Sequence, residues 1–251
     1  MLVDGPMGAI NGLTQGVLVV ISGSSAHATV LLQHHRISHV LSVHTWGETH
    51  HIRFTIPNTT PRTETGPEIQ RYQEDIDDDP TEDILRCISH MLDWVRSALV
   101  KPHPHPHRGT NVNGVGTVAE SQALKSHAGG RVLVHCNHGI SRSGAVVVAY
   151  IMRALSLPYV NALACARESH AAINPNIGFE YQLRIWEGCG YEVFERVMRN
   201  SSVILARKGG YKAWVEEVES VYDRENDSDV FRAKDDWLRS VQARLEILRV
   251  V

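Results

Sequence analysis

Cys136 and Arg142 are separated by five residues, and Ser143 follows the arginine at once. Ahead of the cysteine, Val132-Leu133-Val134 reads as an apolar strand that leads in through His135. Behind it, Gly144 to Met152 is an apolar run that reads as a buried helix. In a strand–loop–helix unit the loop amides and the helix N-terminus converge on one point and favour an anion there. A thiol at the strand end faces that positive field and is favoured as the thiolate. Arg142, on the first turn of the helix, can grip two oxygens of a phosphate with its planar fork. A nucleophile and a phosphate clamp thus share one loop, and the chemistry they suit is phosphoryl transfer through a cysteinyl-phosphate.

The other loop residues take roles from the same geometry. The N–H groups of Asn137, His138, Gly139, Ile140, Ser141 and Arg142 are candidates to hold the equatorial phosphate oxygens, where transition-state charge gathers. Gly139 lets the backbone curl without side-chain clash. Ser143 is expected to donate a hydrogen bond to the Cys136 sulfur and ease its departure. His135 either orients the loop by hydrogen bonding or packs beneath it. The chemistry needs no metal and no cofactor. It does need the sulfur to open onto the cradle rather than lie buried away from solvent.

The run Asp77-Asp78-Asp79-Pro80 sets three adjacent carboxylates before a helical pattern. Pro80 suits the first helical position, which makes Asp79 the N-cap and Glu82 its capping-box partner. The helix is then predicted to run to about Leu99, with Ile84, Ile88, Met91, Leu92, Val95 and Leu99 as its buried stripe. Asp77 and Asp78 are left on the loop before it. The bland reading is that the whole acidic run is only a solvated helix start.

Stepping outward, Gly16 to Ile21 and Ser38 to Val43 read as strands, with a short helix over Ala26–His35 between them. Residues 44–67 are irregular, with a possible edge strand over Ile52–Ile56. Ile69 to Ile76 is the next strand, made unusually polar by Gln73-Glu74-Asp75. Residues 101–128 form an insertion that opens on alternating His-Pro, reads as largely disordered, and ends in a possible short helix. His50, His51, His103, His105 and His107 read as surface or tract histidines, because no acidic or thiol partner stands at ligand spacing. A helix over about 159–172 should turn Val160, Ala164 and Cys165 inward, and Glu180 to Gly188 should be another helix. Near the C-terminus, Phe231, Trp237, Leu238, Val241, Leu245 and Leu248 follow helical spacing. They predict an amphipathic helix that packs on the domain or, alternatively, contacts a partner.

The motif His135-Cys136-x-x-Gly139-x-Ser141-Arg142-Ser143 resembles the cysteine-dependent protein phosphatases, in the variant of their dual-specificity branch. Ile37 to Val43 and Asn174-Pro175-Asn176-x-Gly178-Phe179 with Gln182-Leu183 are similar to the same family. The resemblance implies an α/β fold: a central, mostly parallel sheet flanked by helices in three layers. It implies a catalytic domain over 16–195, after a lead-in at 1–15 and before a helical C-terminal extension at 196–251. The family's Asp-x-Pro pattern, matched onto this chain, selects Asp78 as general acid. It implies a phosphatase acting on phosphotyrosine and phosphoserine/threonine, with phosphorylated proteins as partners. The loop holds no lysine, unlike the phosphoinositide phosphatases of the superfamily, which favours phosphoprotein over polyphosphorylated lipid; a phosphoinositide or small phosphate-ester phosphatase is the enzymatic alternative. A phospho-binding module that has lost catalysis is the non-enzyme alternative. Gly190-Tyr191-Glu192-Val193 and Tyr211 to Trp214 resemble the subgroup that carries a zinc domain after the phosphatase domain. No cysteine follows Cys189, so that domain is expected to be missing.

Composition narrows the class further. The chain has 251 residues, 43% hydrophobic and 21% charged, as expected of a soluble globular protein. A net charge of −3 gives no pull toward nucleic acid or anionic lipid. No apolar run reaches the roughly 18 residues of a membrane span, and the start lacks a signal-peptide pattern. Four scattered cysteines favour a reducing compartment, so a cytoplasmic and/or nuclear location is expected. Cys87 or Cys165 could pair with an oxidised Cys136, and spacing does not choose between them.

Overall fold

A computed structural model describes residues 17–22, 32, 35–45, 69–100 and 130–250. Its centre is a four-stranded sheet of β1 (Val17–Ser22), β2 (His39–Val43), β3 (Gln70–Glu74) and β4 (Arg131–Cys136), in the order β1-β4-β2-β3. Every pairing is parallel. Parallel strands covered on both faces need continuous apolar sequence, and β2 and the apolar stretch of β4 are buried throughout. Strand β3 was expected to be polar for a strand. It lies at the sheet edge, which tolerates Gln70, Arg71 and Gln73 facing solvent. Cys136 closes the central strand β4 opposite Ser22, at the carboxyl end of the sheet. Ligands of open parallel sheets bind at that end.

Helix α1 (Leu85–Val100) buries Ile88, Met91, Leu92, Val95 and Leu99, the stripe read from their spacing. Its start differs from expectation. Pro80 to Ile84 form turns, and the helix begins at Leu85. Asp83 Oδ1 accepts the Arg86 N–H at 3.1 Å and does the capping. Asp79 instead folds back on Thr81, taking both its N–H and its hydroxyl. The local signature was satisfied by a tight turn because tertiary partners hold the 80–84 segment, as described below.

Helix α2 (Arg142–Leu155) is buried all round through Met152, the mark of a core helix. It packs on β4, α1, α3 (Tyr159–Ser169) and α4 (Ile177–Gly188). In α3 the inward face is rotated from the expected one: Tyr159, Ala162 and Ala166 are buried, while Val160 and Ala164 face solvent. The small Ala162 and Ala166 let α3 lie close on α2, which the bulkier Val160 would not. A hairpin of β5 (Phe194–Arg199) and β6 (Ser202–Arg207) follows, its turn residues Asn200 and Ser201 both at positive φ.

The chain ends in α5 (Gly209–Tyr222) and α6 (Asp227–Val250), which pack on each other and on α4. Tyr211, Trp214, Val215, Trp237, Val241 and Leu245 join the same core as the sheet, so that core runs on past residue 195. The expected terminal helix therefore packs on the domain. Two residues of its predicted stripe, Phe231 and Leu248, point out instead. Among the described residues no single helix is long and apolar enough to cross a membrane. The lead-in, most of the 26–35 helix, the 52–56 strand and the 101–128 insertion lie outside the described residues.

Leu92 sits wholly buried in this core. Leu92→Ala is expected to cost about 2–5 kcal/mol of stability, read as a lower urea midpoint at unchanged slope.

Candidate active site

The strand, loop and helix meet as their sequence requires. Cys136 ends β4, Arg142 opens α2, and Gly139 between them takes φ +69°, a conformation open to glycine. Among the described residues, the N–H groups of His138, Gly139, Ile140 and Ser141 donate to no protein acceptor. Such unpartnered amides on one short loop suit an anion. The Cys136 sulfur is hydrogen bonded to the Ser143 hydroxyl at 3.2 Å.

One expectation is corrected. The thiol was required to open to solvent, yet Cys136 is only 1% exposed. Exposure rises only along the loop, at Asn137, His138 and Ile140.

Neighbouring elements hold the loop from outside. The Asn174 N–H donates to the Ile140 carbonyl at 3.1 Å, and His170 Nε2 lies 3.2 Å from the Gly139 carbonyl. Arg167 in turn secures that segment through the Ile173 carbonyl and the Asn174 side chain. Two loop carbonyls are thus engaged by neighbouring segments, while the loop N–H groups named above are not. His135 takes neither an active nor a merely passive place. It is buried and bonds the Ser42 hydroxyl at 2.7 Å across the β4–β2 pairing, with His44 edge-on to its ring.

The three aspartates of the acidic run part company. The Asp77 carboxylate turns back to accept the Asp78 N–H at 2.7 Å. Asp78 reaches the phosphate loop: its Oδ1 accepts from the Ser141 hydroxyl at 2.5 Å and from Asn176 Nδ2 at 3.0 Å. Its Oδ2 stands 4.0 Å from Arg142 Nε, and its side chain is 35% exposed. Asp79 faces the other way, toward Lys234. Arg142 is buried and donates to the Ile76 carbonyl at 3.2 Å, linking the clamp to the same acidic loop.

Asn176, Gly178 and Gln182 belong to the family-like stretch after Asn174, but their individual roles come only from the structure. Asn176 caps α4 through the Phe179 N–H and also holds Asp78; its N-cap position was a usable signal. Gln182 is buried on α4, accepts from the Ile84 N–H and donates to the Glu82 carbonyl, so one amide grips the acidic segment at two points. Gly178 carries no Cβ because one would sit 1.8 Å from the Pro80 carbonyl oxygen. The roles of the last two depend on contacts about 100 residues away along the chain, which spacing does not reveal.

Among the described residues no cluster of histidine, cysteine, aspartate or glutamate could hold a metal. His50, His51, His103, His105 and His107 lie outside them. All four cysteines are free. Burial pushes the Cys87 thiol up to about 12 and also raises that of Cys165.

The site thus stands on a parallel sheet whose central strand ends in Cys136, with Ser143 at its sulfur and Arg142 opening the next helix. Residues 119–189 match the profile of the dual specificity phosphatase catalytic domain. The human serine/threonine/tyrosine-interacting protein is 32% identical over 158 residues, 62% of this chain and 54% of that protein. Dual specificity protein phosphatase 12 of Mus musculus is 46% identical over 65 residues, 26% of this chain and 19% of that protein. A crystal structure titled human tyrosine phosphatase-like serine/threonine/tyrosine-interacting protein aligns with a TM-score of 0.48 at 29% identity, over 69% of this chain and 93% of that one. The chain is thus similar over part of its length to dual-specificity phosphatases and to proteins related to them. It spans about half the length of the interacting proteins it matches.

Gly178→Ala is expected to push the Pro80 segment off α4 and carry Asp78 away from Ser141. Loss of amide protection at Ile84, with β4 unchanged, would register this in hydrogen exchange. In native protein at pH 8, Cys87 is expected to resist iodoacetamide, since almost none of it is thiolate there. Mass spectrometry of the labelled peptides reads this directly.

Proposed function

We propose that the chain is an active protein phosphatase that hydrolyses phosphotyrosine and phosphoserine/phosphothreonine through a cysteinyl-phosphate intermediate. The observation that carries this reading is the Cys136 sulfur, hydrogen bonded to Ser143, on a loop in which four N–H groups have no acceptor among the described residues. The Cys136 thiolate attacks phosphorus as the P–O ester bond breaks. Asp78 gives its proton to the departing side-chain oxygen. Water then attacks phosphorus, Asp78 takes the water's proton, and the S–P bond breaks to free inorganic phosphate. Ser143 donates to the departing sulfur. The amides of Asn137 to Ser141 and the Arg142 guanidinium hold the three equatorial oxygens, where charge develops. Arg142 must exchange its bond to the Ile76 carbonyl for one to phosphate.

Phosphoproteins fit as substrates better than polyphosphorylated lipids, because Asn137 to Ser141 include no lysine. The exposed Phe231 and Leu248 of α6 offer a place for contact with a protein partner. Four free cysteines suit a reducing compartment, the cytoplasm or nucleus.

A second reading has its own support. The sulfur is enclosed, and several relatives are named for interaction with serine, threonine and tyrosine rather than for hydrolysis. A phospho-binding module would keep the cradle and lose turnover.

Turnover of para-nitrophenyl phosphate and of phosphotyrosine and phosphothreonine peptides separates the two readings, with a phosphoinositide panel as the third arm. Cys136→Ser is expected to abolish hydrolysis while still binding phosphopeptide. Asp78→Ala is expected to slow peptide turnover by roughly 10²-fold or more, and Asp77→Ala to change it little. Phosphopeptide binding without release of phosphate by the unaltered chain would favour the binding module.

A further inference from the structure

The C-terminal helices reach the acidic loop at three points. Lys234 of α6 forms an ion pair with Asp79, the residue next to Asp78. The Tyr222 hydroxyl, at the end of α5, is hydrogen bonded to the Thr81 hydroxyl at 2.6 Å. The Tyr211 hydroxyl, near the start of α5, donates to Asp83 at 2.7 Å. All three side chains come from the segment expected to lie beyond the catalytic domain.

Asp79 is central to this arrangement. One of its oxygens folds the loop through Thr81, and the other meets Lys234. Partial burial alone would raise its carboxyl, but hydrogen bonds from Lys234 and Thr81 outweigh burial and hold it below the usual range. Lys234 is raised in return, its bond to Asp79 outweighing its own burial. The helix that carries Lys234 is itself anchored. Arg249 pairs with Glu180 of α4 at 2.9 Å, and Arg244 bonds Tyr181 of α4 and Glu217 of α5. The latch therefore ends on α4, the same helix whose cap residue, Asn176, holds Asp78 from the opposite side.

We infer that α5 and α6 form a latch that sets the general acid, with Lys234 and Tyr222 as positioning residues that act on Asp78 through Asp79 and Thr81. This rests on the phosphatase reading above. Neither residue touches the phosphate loop, so neither should alter nucleophilic attack. Both fix the backbone on which the proton donor rides. A misplacement of about 1 Å in such a donor can cost as much as 10²-fold.

The test uses the full chain and two aryl esters. Phenyl phosphate has a basic leaving oxygen that needs a proton, whereas 2,4-dinitrophenyl phosphate leaves without one. Lys234→Ala is expected to lower kcat on phenyl phosphate about tenfold and to change it less than twofold on the dinitrophenyl ester, a fraction of what a general acid contributes. Tyr222→Phe should show a smaller effect of the same kind, and Lys234→Arg should restore most of the loss. Arg239→Ala, which breaks the Arg239–Asp236 pair on the exposed side of α6, should change neither rate. Equal loss on both esters, or no loss on either, would overturn the latch. Hydrogen exchange over residues 76–84 gives a readout independent of turnover. It should quicken in Lys234→Ala while β4 and α2 stay protected. If the unaltered chain hydrolyses neither ester, the phosphatase reading falls and exchange alone decides the latch: quickened exchange confined to that segment supports it, and unchanged exchange overturns it.

Discussion

The Asp78 carboxylate meets Ser141 from the phosphate loop and Asn176 from the cap of α4 in one hydrogen-bonded node. Three segments far apart in sequence depend on it. Ser141 also accepts the Asn176 N–H, so the node closes on itself. Partly buried polar groups bonded in this way favour one arrangement over its neighbours, because any shift leaves a donor or acceptor unmet. The phosphate loop, the acidic segment and the α4 cap are therefore positioned together rather than one by one.

The sheet makes that node possible. Parallel pairing brings the ends of β4 and β2 to one edge, and His135 bonded to Ser42 ties the two strands just below the cysteine. The buried helix α2 then starts where β4 stops, so the loop between them must turn within five residues. Gly139 at positive φ makes the turn, and the carbonyls of Gly139 and Ile140 are engaged by His170 and Asn174.

Much of this was legible locally. The apolar β2 and β4, the stripe of α1 and the all-apolar α2 were readable because periodicity and burial are properties of short windows. The onset of α1 was not. Asp79-Pro80-Thr81-Glu82 carries a good helix-start signature, yet Gln182, Lys234 and Tyr222 hold that segment as turns. The inward face of α3 was misjudged for a related reason: hydrophobicity favours Val160, but the close approach to α2 favours alanine. Openness of the cysteine could not be read at all, since it depends on how neighbouring segments close over the loop.

By itself, the sequence determined the chemistry on offer: a thiol, an arginine one short loop away, and a hydroxyl beside it, on a strand–turn–helix. These are short-range facts, written in residue type and spacing. Only the tertiary structure decided which of three adjacent aspartates faces that loop, how deeply the sulfur is enclosed, and that helices beyond residue 195 grip the acidic segment. Those outcomes depend on side chains up to about 155 residues apart competing for the same few donors and acceptors, and no local pattern records who wins.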